Sequence, residues 1–190
     1  FLDNLSQNPS DQAIVELFDF MQHKHMPITS DGCFLAYKAV REDFKDIWSG
    51  EIDNSVGNTV SIPRKKVDSN REKHCSSGLH VGAIDYASQY GGINPNMDND
   101  EGGGNKLVIC KVNPMDVVSV PSDSKFQKLR CCQYEVVSLF NDVFDAAVHM
   151  TQDEIGRATV ERDEQWRKEI TMKLQRVKEV LVRTKSLELV

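Results

Sequence analysis

Apolar residues fall at helical spacing near the two ends of the chain and in short, valine-rich runs between them. Ile14, Leu17, Phe18 and Met21 lie three or four residues apart, which sets them on one stripe of an amphipathic helix. Asn8 offers the N-cap and Pro9 the first helical position of about four turns, closed by His23, His25 and Pro27. The turn Thr29-Ser30-Asp31-Gly32 leads into residues 33–40, which are predicted to form a strand. Between residues 43 and 68, turn signals such as Ser49-Gly50, Asp53-Asn54 and Val56-Gly57-Asn58 alternate with short extended pieces, chiefly residues 59–62. Residues 78–81 read as a further strand, and residues 84–90 as a short helix carrying Ala87 and Tyr90 on one face. Residues 107–112, 117–120 and 129–140 are rich in valine, leucine and isoleucine and predict three more strands. The Gly-, Asn- and Asp-rich stretch 91–105 cannot bury enough apolar surface to order itself, which predicts a mobile surface loop.

From about Asp142 the pattern changes. Trp166, Ile170, Leu174, Val177 and Leu181 recur at spacings of three and four among Glu, Arg and Lys, which predicts a long amphipathic helix. Its narrow stripe and charged flanks suit a coiled-coil seam, a partner surface or a helix laid on its own domain. The expected architecture is therefore α+β. An N-terminal helix and a central, mostly antiparallel sheet occupy residues 1–140, and a helical extension occupies 141–190.

Composition narrows the function classes. The chain has 190 residues, enough for one ordinary domain with an appendage or for two small ones, and its net charge of −6 argues against broad attraction to nucleic acid. The short basic clusters Arg64-Lys65-Lys66 and Arg71-Glu72-Lys73 are expected to be solvated loop faces. Five cysteines, an odd number that includes the adjacent pair Cys131 and Cys132, do not form a disulfide framework and point to a reducing cytosol. No apolar run approaches the roughly 20 residues of a membrane span, and Phe1-Leu2-Asp3-Asn4 is no signal sequence. The missing initiator Met predicts a fragment of a longer protein.

Candidate chemistry is sparse. His23 with His25, and His74 with Cys75, lack the paired spacing of zinc ligands, and Asp98 and Asp100 lack the terminal glutamate of a calcium loop, so no metal is expected. Cys75 near His80 could supply a nucleophile, but a buried, inert thiol is the expected state. Gly102-Gly103-Gly104 leads into a strand instead of a helix N-terminus, so it is no phosphate cradle. The remaining polar constellation is Tyr37, Lys38, His80, Tyr86, Tyr90, Gln133, Tyr134 and Glu135. Alternation places Gln133 and Glu135 on one strand face and Tyr134 on the other. These groups either line a ligand cleft or are ordinary solvent-facing positions.

Two resemblances extend these expectations. Phe1-Leu2-Asp3-Asn4-Leu5, Asn8-Pro9-Ser10, Met26-Pro27-Ile28-Thr29 and the run Asp31-Gly32-Cys33-Phe34-Leu35-Ala36-Tyr37-Lys38 resemble the bacteriophage rIIB-like family of rapid-lysis or lysis-inhibition proteins. The likeness continues through Ser49-Gly50, residues 53–57, 75–81, 112–121 and 130–137, covering about residues 1–140. It implies a non-enzymatic early protein of the infected bacterial cytoplasm, or one peripheral to the inner membrane. Such a protein would act with a rIIA-like partner or through self-association to affect lysis timing or host exclusion.

The order Gly78-Leu79-His80-Val81, Tyr86-Ala87-Ser88-Gln89-Tyr90, Leu107-Val108-Ile109-Cys110-Lys111-Val112 and Gln133-Tyr134-Glu135-Val136-Val137 is similar to the core of ADP-ribosyltransferases. That resemblance implies the alternative of an NAD-using enzyme or nucleotide-binding module, with His80, Tyr90 and Gln133 or Glu135 around the nicotinamide ribose. In those enzymes a glutamate stabilises the cationic transition state as nicotinamide leaves. Here Gln133 stands before Tyr134, and only Glu135 offers a carboxylate. Tyr37 and Lys38 stand where the enzymes place His or Arg.

Overall fold

The computed structural model describes residues 1–22, 26–94, 104–123 and 125–140. Two N-terminal helices, α1 (Leu2–Ser6) and α2 (Asp11–Met21), precede β1 (Phe34–Val40). Then come β2 (Thr59–Ser61), β3 (Leu79–Gly82), the helix α3 (Ile84–Gly91), β4 (Lys106–Val112), β5 (Val117–Ser119), β6 (Lys128–Cys131) and β7 (Gln133–Leu139). The strands form one sheet in the order β2-β7-β4-β1-β3-β6-β5, and every neighbouring pair is antiparallel. The architecture is α+β, as the sequence pattern predicts. The predicted extension with Trp166, Ile170, Leu174, Val177 and Leu181 lies outside the described residues, as do His23, His25 and most of the glycine-rich loop.

Two boundaries differ from the sequence expectation. Helix α2 is capped by Ser10, whose hydroxyl accepts from the Ala13 N–H, so Asn8 is free for another task. The Asn8 amide is buried and donates to the carbonyls of Pro114 (2.9 Å) and Val117 (2.8 Å), tying the chain start to a segment more than a hundred residues away. The single strand expected over 129–140 is broken at Cys132 into β6 and β7.

That break sets the shape of the sheet. One residue links two strands that have β4, β1 and β3 between them, and one residue spans only about 3.6 Å. The sheet must therefore curl until its two flanks meet at Cys132, where the chain turns the corner. Hydrogen bonds mark the junction: Cys132 N–H donates to Asp116 O (3.0 Å), and Ile62 N–H donates to Cys132 O (2.9 Å).

The inner face of this curl holds the main core. Phe34, Ala36 and Val40 of β1, Leu79 and Val81 of β3, Cys110 and Val112 of β4, and Tyr134 and Val136 of β7 pack with Ile14, Leu17 and Phe20 of α2. Phe20 meets Phe34 at 6.0 Å between ring centroids. Glu16 fastens the same helix by a polar route: its buried carboxylate accepts from Val120 N–H (2.8 Å) and Gln12 Nε2 (2.7 Å), with Arg71 at 3.8 Å. A smaller cluster on the outer face joins Tyr37, Ala39, Leu107 and Ile109 to Ala87 of α3 and to Phe140.

Candidate functional site

The polar groups of the outer face follow from strand alternation. His80 lies opposite Arg130, and Gly82 lies opposite Lys128, so β3 and β6 present three basic side chains on one side. Gly82 is required there for space, because a Cβ would stand 2.6 Å from the Tyr86 ring and 2.9 Å from the Gln127 carbonyl. Gly78, which starts the Gly-Leu-His-Val stretch, has φ +148, and a Cβ would meet Val67 at 2.9 Å. Its glycine answers backbone geometry and close packing.

Arg130 is fully buried, yet no carboxylate among the described residues is bonded to its guanidinium. Its Nη1 donates to the carbonyls of Asp68 (3.2 Å) and Asn70 (3.0 Å) and to Ser119 Oγ (3.2 Å), and Nη2 donates to the Lys73 carbonyl. Its Nε has no partner among the described residues. One buried cation thus gathers the loop 68–73 onto the sheet through backbone oxygens. Lys128 does the same for the next stretch, donating to His74 O (2.9 Å) and Asp123 Oδ2 (2.8 Å) beneath the Tyr86 ring. His80 sits among these cations. Burial, then the charges of Lys38, Arg130 and Lys128, push its pKa down to about 4, against a hydrogen bond to the Gly78 backbone. At neutral pH it is an uncharged imidazole.

The other predicted site residues do not join it. Tyr37 is buried in the outer cluster, edge-on to Phe140 at 5.8 Å. Lys38 alternates to the inner face, where burial lowers its pKa and Nζ donates to the His80 carbonyl (3.0 Å). Tyr90 is 51% exposed and stacks on Tyr86, while its expected face-mate Ala87 is buried against the sheet. Gln133 and Glu135 share a face, and Tyr134 takes the other, as alternation predicts. Glu135 engages Lys111 Nζ (2.9 Å), which also reaches Asp31 (3.3 Å). Strands β1 and β4 stand between β3 and β7, so three strand spacings of about 4.8 Å each separate His80 from Glu135 along the sheet. Cys75, expected to be buried, is exposed.

In the basic clusters Lys65, Lys66, Glu72 and Lys73 are exposed, as the sequence predicts, but Arg64 and Arg71 are not. Arg64 is a structural tie, donating to Met115 O (2.7 Å), Val117 O (2.8 Å) and Asn8 Oδ1 (2.8 Å). Arg71 pairs with Asp19 (3.3 Å) and stacks on Phe126. The alternation Lys128-Leu129-Arg130-Cys131 was the available signal for the outer-face cations, since two charges in an apolar strand must share a side.

One feature faces solvent without a role in the fold. Trp48 is 90% exposed at the tip of a loop built from within. Asp46 is buried, and its carboxylate accepts from Ser49 N–H (2.7 Å), Ser49 Oγ (2.6 Å), Ile52 N–H (2.9 Å) and Glu51 N–H (3.2 Å). These bonds outweigh its burial and hold its pKa below the ordinary aspartate value. Asn54, also buried, donates to Ile52 O (2.9 Å) and Phe44 O (3.3 Å) and accepts from the Tyr134 hydroxyl.

Among the described residues no cluster of three or more His, Cys, Asp or Glu could hold a metal ion, and no helix is long and apolar enough to cross a membrane. The family model described as "Bacteriophage T4 protein rIIB" matches residues 1–149. The chain is 40% identical over 144 residues to "Protein rIIB" of Enterobacteria phage T4, covering 76% of this chain and 43% of that protein. It thus spans less than half the length of that relative. No solved structure matches.

Proposed function

The chain belongs to the bacteriophage T4 rIIB family, and on that premise we propose that it is a non-enzymatic early phage protein acting through protein contacts. In this proposal it works in the cytoplasm of the infected bacterium, or at the periphery of the inner membrane, with a rIIA-like partner or with itself. The outcome is a change in lysis timing or in host exclusion of the phage. Contact runs through the segment 151–185, whose apolar stripe includes Trp166, Ile170 and Leu174.

The observation that carries the non-enzymatic part is the placement of the polar residues. Tyr37 and Lys38 point to opposite faces, Tyr90 is turned to solvent, and Glu135 is held by Lys111 three strands from His80. Each of these groups already serves packing or a local bond, Tyr90 through its stacking on Tyr86. Co-expression with the rIIA-like protein of the same phage, followed by co-purification and light scattering, tests the contact. A complex or self-oligomer that is lost on charging the apolar stripe (L174D/L181D) is expected. Separate elution with an unchanged mass would overturn it. Transfer of label from NAD to protein, or a thermal shift on adding NAD, would instead favour the ADP-ribosyltransferase-like alternative.

A further inference from the structure

Trp48 combines two properties that the fold itself does not need together. Its loop is rigid, fixed by the buried Asp46 and Asn54 side chains and turned at Gly50 with φ +70. Its indole is left in water, although a large aromatic gains more from burial than almost any other side chain. A preorganised loop loses little conformational freedom on docking, and an exposed tryptophan is the residue type that most often anchors a contact. The loop also has a charge: residues 41–53 carry five carboxylates, of which Asp46 is buried, against two cations. What covers Trp48 should therefore be apolar along one line and basic beside it.

The chain itself contains such a segment. Residues 165–185 carry seven basic side chains against two acidic ones, flanking the stripe Trp166, Ile170, Leu174, Val177 and Leu181. The route to the loop is short. Phe140, the last described residue, lies in the outer cluster, against which Ile47, the neighbour of Trp48, also packs. The polypeptide thus leaves the described residues beside the loop that needs covering, with fifty residues still to place.

We propose that residues 165–185 dock on the Trp48 loop of their own chain, with the apolar stripe over the indole and the basic flank against the loop's carboxylates. This deepens the proposed function, since it gives the contact segment a resting site from which a partner would have to displace it. The test needs no partner, so its failure is distinguishable from failure of that wider reading.

The sequence contains two tryptophans, Trp48 and Trp166, so W166F in the full chain leaves Trp48 as the sole indole reporter. Its emission should be shifted to shorter wavelength than that of a free indole, and acrylamide should quench it several-fold less. Adding I170D/L174D, or separately K173E/R176E/K178E, should move both readings to free-indole values while the thermal transition of the sheet domain persists. The charge-reversal set alters only residues outside that domain's core, so the test does not depend on the apolar variant folding. Trp48 emission and quenching like free indole in W166F, or unchanged in both added variants, would overturn the proposal. Protection that disappears on dilution would also overturn it, because the occupant would then be a second copy.

Discussion

The two faces of the curled sheet solve the same problem by different physics. The inner face is filled by apolar side chains from α2 and six strands, and its stability comes from removing hydrocarbon from water. Among the described residues the outer face has only the short helix α3 over a small apolar cluster, and beside it the sheet holds its connecting loops through buried cations. Packing is non-directional and tolerates a change of partner, whereas a guanidinium bonded to four fixed acceptors specifies one loop path. The inner face makes the domain stable, and the outer face determines where residues 68–74 run.

The largest effect should come from the inner face. Phe20 is fully buried against Phe34, and Phe20→Ala removes a ring whose cavity α2, tied at both Ser10 and Glu16, cannot collapse to fill. A loss of about 3–5 kcal/mol is expected in urea unfolding, with the denaturant slope unchanged. A loss below about 1 kcal/mol would mean that α2 shifts freely and that the faces differ less than their contents suggest.

Arg130→Met tests the other mode. The substitution keeps much of the volume but takes the guanidinium from the Lys73 carbonyl and leaves Asp68 O with only the Ser119 hydroxyl and Asn70 O with only the Lys73 N–H. About 2–4 kcal/mol should be lost, reduced by relief of the unpartnered Nε. The readout that separates this from simple destabilisation is local. Hydrogen exchange or limited proteolysis should accelerate in residues 68–76 well before the sheet, whereas Phe20→Ala should accelerate both together. Uniform acceleration in the Arg130 variant would show that the cation serves the whole domain.

These contrasts explain what could be read from the sequence. Dense apolar runs announced β1 and β4, and the short helix α3 followed from local pattern alone, because each element's own residues decide its state. The same inspection gave Asn8 to a helix cap and Arg64 to solvent. Their partners, Pro114 and Val117 for Asn8 and Met115 and Val117 for Arg64, lie more than fifty residues away, and local periodicity carries no such information. The break at Cys132 has no local signal either, since residues 129–140 contain no Gly or Pro to mark a turn. Among the candidate site residues, alternation correctly separated Gln133 and Glu135 from Tyr134. It could not say which strands lie between β7 and β3, and so could not give the three strand spacings that separate Glu135 from His80 along the sheet.

His80 allows the outer face to be probed by pH alone. Its folded pKa, pushed down to about 4 by burial and the neighbouring cations, lies below the ordinary value near 6.5, so the unfolded chain binds the extra proton more readily. The stability this represents is complete above pH 6.5 and is lost as pH falls toward 4, amounting to roughly 3 kcal/mol at pH 4. His80→Gln should flatten that stretch of the stability curve. Glu16 works in the opposite direction. Burial raises its folded pKa, so it favours the fold as pH falls below that raised value toward the ordinary carboxylate range, and Glu16→Gln should remove that offset. If the wild-type curve and the His80→Gln curve run parallel from pH 6.5 to 4, the imidazole is not held neutral by its surroundings.

The smallest expected change falls on the residue that sequence alone made a catalytic candidate. Glu135 is half-exposed, and the Lys111 ammonium it meets is shared with Asp31. Such a pair gains little over its hydrated components, and Lys111 keeps a carboxylate when Glu135 is neutralised. Glu135→Gln should therefore cost less than about 1 kcal/mol, and the difference should shrink further at about 1 M salt, where the Debye length is near 3 Å. It should also leave any NAD-dependent thermal shift or lysis phenotype where the parent protein has it. A variant that stays folded but loses such a response would place Glu135 in a site despite its distance from His80, and the outer face would then be more than a scaffold for loops.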